Sequence, residues 1–182
     1  QGPTMSRIGK KPISVPDKVE VTVDGHRVSV KGPLGSLMRV VPPEIAVAVA
    51  NGQVEVRRVS EGRHQRALHG LMRNEIYNMV QGVTEGFERI LEINGVGYKA
   101  NLSGRTISFN LGYTHAIEFP LPDGIDAKVD KQTTVTIKGR DKALVGQTAA
   151  NIRALKKPDV YKAKGIKYAG EILIRKEGKT GK

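Results

Sequence analysis

The chain has 182 residues, no cysteine, and thirty lysine and arginine residues against eighteen aspartate and glutamate, a formal net charge of +12. That length holds one ordinary domain or two small ones, and the charge points to a polyanion: RNA or DNA before an anionic membrane face. Lack of cysteine excludes a disulfide framework, a thiolate metal site and a cysteine nucleophile. No apolar run reaches the ~18 residues of a spanning helix and the start lacks the apolar core of a secretory signal, so the expected location is the cytoplasm.

After Met5, the stretch SRIGKKPISVP sets Arg7, Lys10 and Lys11 ahead of two prolines without a hydrophobic period, which predicts a basic N-terminal arm over residues 1–18. Next, Val19, Val21 and Val23 alternate with polar residues, Asp24-Gly25 supplies a tight turn, and Val28 and Val30 resume the alternation, which is a hairpin. Further strands fit residues 37–41, 45–49 and 54–56, the last entered through Asn51-Gly52. Then the period lengthens. Ser60 stands where it can cap a helix with Leu68, Leu71, Met72, Ile76, Met79 and Val80 on one stripe, and Gly82 is placed to stop it.

The second half repeats the plan. With Val21 set over Ala100 and no gap as far as Asp123, Asp24-Gly25 falls on Ser103-Gly104, Val28 on Ile107, Val30 on Phe109, and Pro43-Glu44 on Pro122-Asp123. Val54 and Val56 correspond to Val135 and Ile137, and a second helical stretch carries Leu144, Val145, Ala149, Ile152 and Leu155. A repeat this long implies duplication of a folding unit. The fold expected is α+β: two tandem duplicated small domains, each a mostly antiparallel sheet with one packed helix. Their expected spans are 19–82 and 83–175, with a boundary near Gly82 to Gly86. Ile172 and Ile174 read as a closing strand, and residues 176–182 as a basic tail.

Charge is uneven along the chain. Residues 1–82 carry twelve basic and seven acidic side chains, 83–150 eight and eight, and 151–182 ten and three. Within the last segment, KKPDVYKAKGIKYAGE over residues 156–171 interleaves Lys156, Lys157, Lys162, Lys164 and Lys167 with Tyr161 and Tyr168 and keeps neither helical nor strand period. Ammonium groups meet phosphates, tyrosine faces stack on sugars or bases, and Gly165 lets backbone approach closely. The plainer alternative is a solvated lysine loop. Interleaved rings, and Pro158 fixing the chain where a helix should end, favour a shaped binding loop.

Three fragments imitate catalytic motifs. Gly95-Val-Gly97-Tyr-Lys-Ala100 follows a strand over residues 89–93 but leads into another strand, so no helix N-terminus receives a pyrophosphate. It reads as a kink or bulge in an edge strand, with Tyr98 and Lys99 beside its glycines as a second RNA contact. Gly178-Lys179-Thr180 is a tail, since no helix can follow it. His64 and His69 lie five apart on a helix, on different faces, and read with His26 and His115 as surface or cap residues. No catalytic constellation is left, and neither cofactor nor small-molecule substrate is expected.

The run PDVYKAKGIKY, with Pro158, Asp159, Tyr161, Lys162, Lys164, Gly165, Ile166 and Tyr168, resembles the C-terminal signature of the bacterial large-subunit ribosomal protein L-six family. SRIGKKPI near the start, VKGPLG from Val30 and NGVGYKA from Asn94 agree with it, so the resemblance spans nearly the whole chain from Met5. It implies a structural constituent of the large ribosomal subunit, with two similar α+β domains. It implies binding of large-subunit ribosomal RNA mainly through the second domain, near the sarcin-ricin loop and the stalk base where translational GTPases dock, among neighbouring large-subunit proteins. Carried onto this chain, the RNA-contacting residues are Lys156, Lys157, Tyr161, Lys162, Lys164, Gly165, Lys167 and Tyr168, with Gly95, Gly97, Tyr98 and Lys99 as secondary candidates. The alternative is a free RNA- or DNA-binding protein that does not travel with the ribosome.

Overall fold

The computed structural model describes residues 9–179, so Arg7 of the arm and Thr180 of the tail lie outside the described residues. Two compact units divide between Gly86 and Phe87. In the first, the order is β1 (Ile13–Ser14), β2 (Glu20–Asp24), β3 (Arg27–Gly32), β4 (Gly35–Val40), β5 (Ile45–Ala50), β6 (Gln53–Arg58) and α1 (Arg63–Thr84). In the second it is β7 (Phe87–Asn94), β8 (Lys99–Ser103), β9 (Thr106–Asn110), β10 (Ile117–Pro120), β11 (Ile125–Asp130), β12 (Thr134–Gly139), α2 (Lys142–Leu155) and β13 (Gly165–Tyr168).

Each unit is α+β and antiparallel throughout, but its strands form two sheets rather than one: β2-β3-β4 and β1-β6-β5 in the first, β8-β9-β10 and β11-β12-β7-β13 in the second. Alternation explains this pattern. Val28 and Val30 on β3 and Val54 and Val56 on β6 turn every second side chain inward to meet Met72, Ile76, Met79 and Val80 of α1. Ile107, Phe109, Val135 and Ile137 do the same in the second unit against Val145, Ala149 and Ile152 of α2. Asn51 and Gly52 both take positive φ, 51° and 71°, which the tight hairpin joining β5 to β6 demands.

Several expectations are corrected. Ser60 does not cap α1: the cap residue is Gly62, with no side-chain hydrogen bond. Gly82 does not stop it either, because Val83 must reach the core, where it is fully buried, and the left-handed residue that ends the helix is Gly86 at φ 77°. On the same helix Leu71 is exposed, whereas His69, read as a surface histidine, is buried, its Nε2 2.7 Å from the Val56 carbonyl. The arm is not wholly outside the fold, since Ile13 pairs with Val54 and is buried in the first core. Ile172 and Ile174 form no strand and are 93% and 86% exposed.

The repeat is real but not gapless. Val30 pairs with Leu37 and Phe109 with Ile117, so the two copies run 79 residues apart at β3 and β9 but 80 apart at β4 and β10. Pro122 therefore matches Pro42, not Pro43, and both accept the N–H three residues on, from Ile125 and Ile45. The extra residue falls in the link from β9 to β10, where the first unit turns in two residues, Pro33-Leu34.

Candidate nucleic-acid interface

The basic signature is not one loop. It is a short loop of residues 156–164 held between a helix end and a strand. Asp141 starts α2 by accepting N–H groups from Ala143 and Leu144 on Oδ1 at 2.8 and 3.4 Å, and the helix runs to Leu155. Beyond Pro158 the chain folds back on itself. The Asp159 N–H donates to the Lys164 carbonyl at 3.0 Å, its carbonyl accepts from Ala163 at 2.9 Å, and its Oδ2 accepts from Lys162 at 3.2 Å. Ala163 is buried at a φ of 56°, a conformation alanine holds only where surrounding contacts impose it.

Gly165 then closes the loop. Its φ is 142°, and a Cβ built on it lies 2.7 Å from the carbonyl oxygens of both Lys156 and Lys157. The close approach that its sequence position suggested is thus made by the protein's own backbone at the end of α2. Ile166 completes the join: its N–H donates to the Lys156 carbonyl at 2.8 Å, and its buried side chain is paired with Ile93 of β7. The segment expected to be all loop therefore ends in β13, which makes β7 an inner strand of its sheet rather than an edge. The glycines after β7 sit in a turn, not a bulge.

These anchors divide the candidate side chains. Lys157, Tyr161, Lys162 and Lys164 are exposed, and the three lysines make no ion pair among the described residues. Lys167, one residue past the buried Ile166, pairs across the strands with Glu92 at 3.0 Å and its side chain is only 21% exposed. Lys156 is half-buried, its ammonium 4.5 Å from the centre of the Tyr113 ring. Tyr168 packs against the core under Arg153, whose guanidinium makes a two-point bridge to Glu171. That guanidinium, with the Tyr168 N–H at 2.9 Å, holds the Glu171 carboxyl below its usual range, and Glu171 in turn raises Arg153.

The secondary candidates join the same surface. The Tyr98 ring occupies a slot between Gly95 and Gly112, each of which a Cβ would close, at 2.6 and 3.0 Å. It is packed rather than presented. Gly97 lies in open space and Lys99 is exposed at the start of β8.

One element escapes sequence reasoning: the longer link between β9 and β10, which carries Gly112, Tyr113, Thr114 and His115. Tyr113 donates its hydroxyl to the Leu155 carbonyl at 3.1 Å, satisfying an orphan acceptor at the end of α2 while its ring underlies Lys156. The signal was available, because the one-residue offset between the repeats falls there. Through Tyr98 on Gly112, Tyr113 on Lys156 and Gly165 on Lys157, the three segments 95–99, 112–115 and 156–165 form one end of the second unit. Its outward groups are ammonium ions, the two exposed tyrosines Tyr113 and Tyr161, a threonine and a histidine, a set that binds phosphates and stacks on bases but offers no paired acid and base.

Among the described residues, no three potential metal ligands cluster and no helix is long and apolar enough to cross a membrane. The family model described as "Ribosomal protein L6" matches residues 15–86 and again 94–169, one match for each unit. The "Large ribosomal subunit protein uL6" of Natranaerobius thermophilus is 51% identical over 178 residues, 98% of this chain and 100% of its own. Those of Trichormus variabilis and Anaeromyxobacter sp. are 52% and 53% identical, over 98% and 97% of this chain and 98% and 99% of theirs. Two matches to one family model, falling on the two structural copies, and identity above one half along almost the full length lead to one conclusion: the chain belongs to the ribosomal protein L6 family.

Proposed function

We propose that this protein is a structural constituent of the large ribosomal subunit and not an enzyme. In this reading it binds large-subunit ribosomal RNA through the end of its second unit, beside neighbouring large-subunit proteins. Family membership supports the ribosomal assignment. The observation that carries the RNA contact is the closure at Gly165, which holds residues 156–164 at both ends and leaves Lys157, Lys162 and Lys164 exposed, with no ion pair among the described residues. The finer placement, near the sarcin-ricin loop and the stalk base where translational GTPases dock, follows from the family resemblance alone.

Sedimentation of cell lysate at physiological salt tests the assignment. A ribosomal constituent travels with the large subunit, and a triple Lys157→Gln, Lys162→Gln, Lys164→Gln variant shifts toward the top of the gradient as ionic strength rises. Wild-type protein that stays at the top would make it a free nucleic-acid binder.

A further inference from the structure

The first unit holds a cleft lined by its own residues. Its volume is 440 Å³, and its walls include Lys10, Lys11, Arg57, Arg58, Glu61 and His69. Both of its acids are already engaged, Glu55 by Arg57 at 2.7 Å and Glu61 by Arg58 at 2.6 Å. Lys10 and Lys11 are exposed and make no ion pair among the described residues. Arg58 spends Nε and Nη2 on Glu61, while its Nη1 has no hydrogen-bond acceptor among the described residues although the side chain is only 7% exposed. A buried guanidinium N–H without a partner is costly, and an oxyanion at the cleft wall supplies one.

The cleft is built, not incidental. Arg73 donates from Nε to the Lys11 carbonyl at 3.1 Å, β1 pairs with β6 two residues on, and Gly9 lies so close to His69 that a Cβ there would be 2.5 Å from Nδ1. The two lysine stems therefore leave a backbone fixed on the fold, and both line the same cleft as the arginine whose Nη1 is unpartnered. We propose that this cleft is a second RNA contact, taking one backbone phosphate between Lys10, Lys11 and Arg58. It rests on reading the protein as an RNA binder.

The test uses the full chain. Inorganic phosphate is titrated while NMR follows the Arg58 Nε–H and the His69 ring, with sodium chloride at equal ionic strength as control. The expected result is a saturable shift with phosphate alone, weakened about threefold to tenfold in the double variant Lys10→Gln, Lys11→Gln, whose exposed side chains leave the core untouched. With large-subunit RNA, that variant lowers the slope of log affinity against log salt by about 0.7 to 0.9, the share of one phosphate. Identical shifts with chloride mean an adventitious ion only, and an unchanged RNA slope removes the RNA phosphate; either overturns the proposal. Lys162→Gln and Lys164→Gln report on the second unit independently, so failure of the loop reading is told apart from failure of this one.

Discussion

Replacing Gly165 by alanine adds one methyl group and no charge, yet the fold makes it a severe change. The methyl carbon falls 2.7 Å from two backbone oxygens, neither of which can swing away as a side chain would. A non-glycine residue at a φ of 142° costs on the order of 1–3 kcal/mol, and the shift needed to relieve the contact weakens the Ile166 to Lys156 hydrogen bond of 2.8 Å, worth about 1 kcal/mol more. The expected loss is about 2–4 kcal/mol in the second unit. For a unit of this size each kcal/mol lowers the midpoint by about 4–8 °C, so thermal unfolding should become visibly biphasic as the second unit melts early. Gly104→Ala is the control: it too has positive φ, 58°, but nothing within 4 Å of its Cβ, so it isolates the backbone term at about 1 kcal/mol. Affinity for folded cognate RNA should fall with Gly165→Ala while affinity for random RNA, set by charge, is kept. A Gly165→Ala protein no less stable than Gly104→Ala, or one that loses both affinities by the same factor, would refute the clamp.

Lys157→Gln, Lys162→Gln and Lys164→Gln should each lower the salt slope of RNA binding by about 0.7–0.9, whereas Lys167→Gln, already paired with Glu92, should lower it far less; filter binding across a salt series checks both. Tyr113→Phe removes the hydrogen bond to Leu155 and should cost about 1 kcal/mol in denaturant unfolding, and Tyr113→Leu a further 0.5–1 kcal/mol as the ring under Lys156 is lost. Glu171 titrates lower in the folded protein than its unfolded value of about 4.3, so its stabilisation is present above that value and is lost as pH falls through the depressed one. Glu171→Gln should be less stable than the parent at pH 7 and should lose less on acidification to pH 3, as read by circular dichroism melts.

What the sequence made legible was the periodic part. Valines at every second position and an apolar stripe on each helix identified the strands and both helices, because burial rewards those spacings directly. The errors came where a polar residue does core work or an apolar one does not. His69 could be buried because Val56 offers a carbonyl, and no spacing encodes that partner. β13 was hidden because Gly-Ile-Lys-Tyr buries only Ile166 fully as a side chain, while Lys167 is accommodated through Glu92 and Tyr168 through Arg153. Ile172 and Ile174 offered a better strand pattern and formed none. The candidate lysines were visible from composition. Which of them face outward was not, since this depends on Tyr113 and Glu92, residues more than forty positions away.

Because residues 156–164 are joined to α2 at one end and, through β13, to β7 of the four-stranded sheet at the other, the loop has little freedom left to lose when it meets a ligand, and its order is the order of the second unit itself. Binding and folding are then linked. A ligand that grips this loop at a hundred times its dissociation constant raises the stability of the second unit by about 2.7 kcal/mol and gives no such protection to the first through that contact. Two copies of one fold, comparable when free, should resist heat and proteolysis unequally once the loop is occupied.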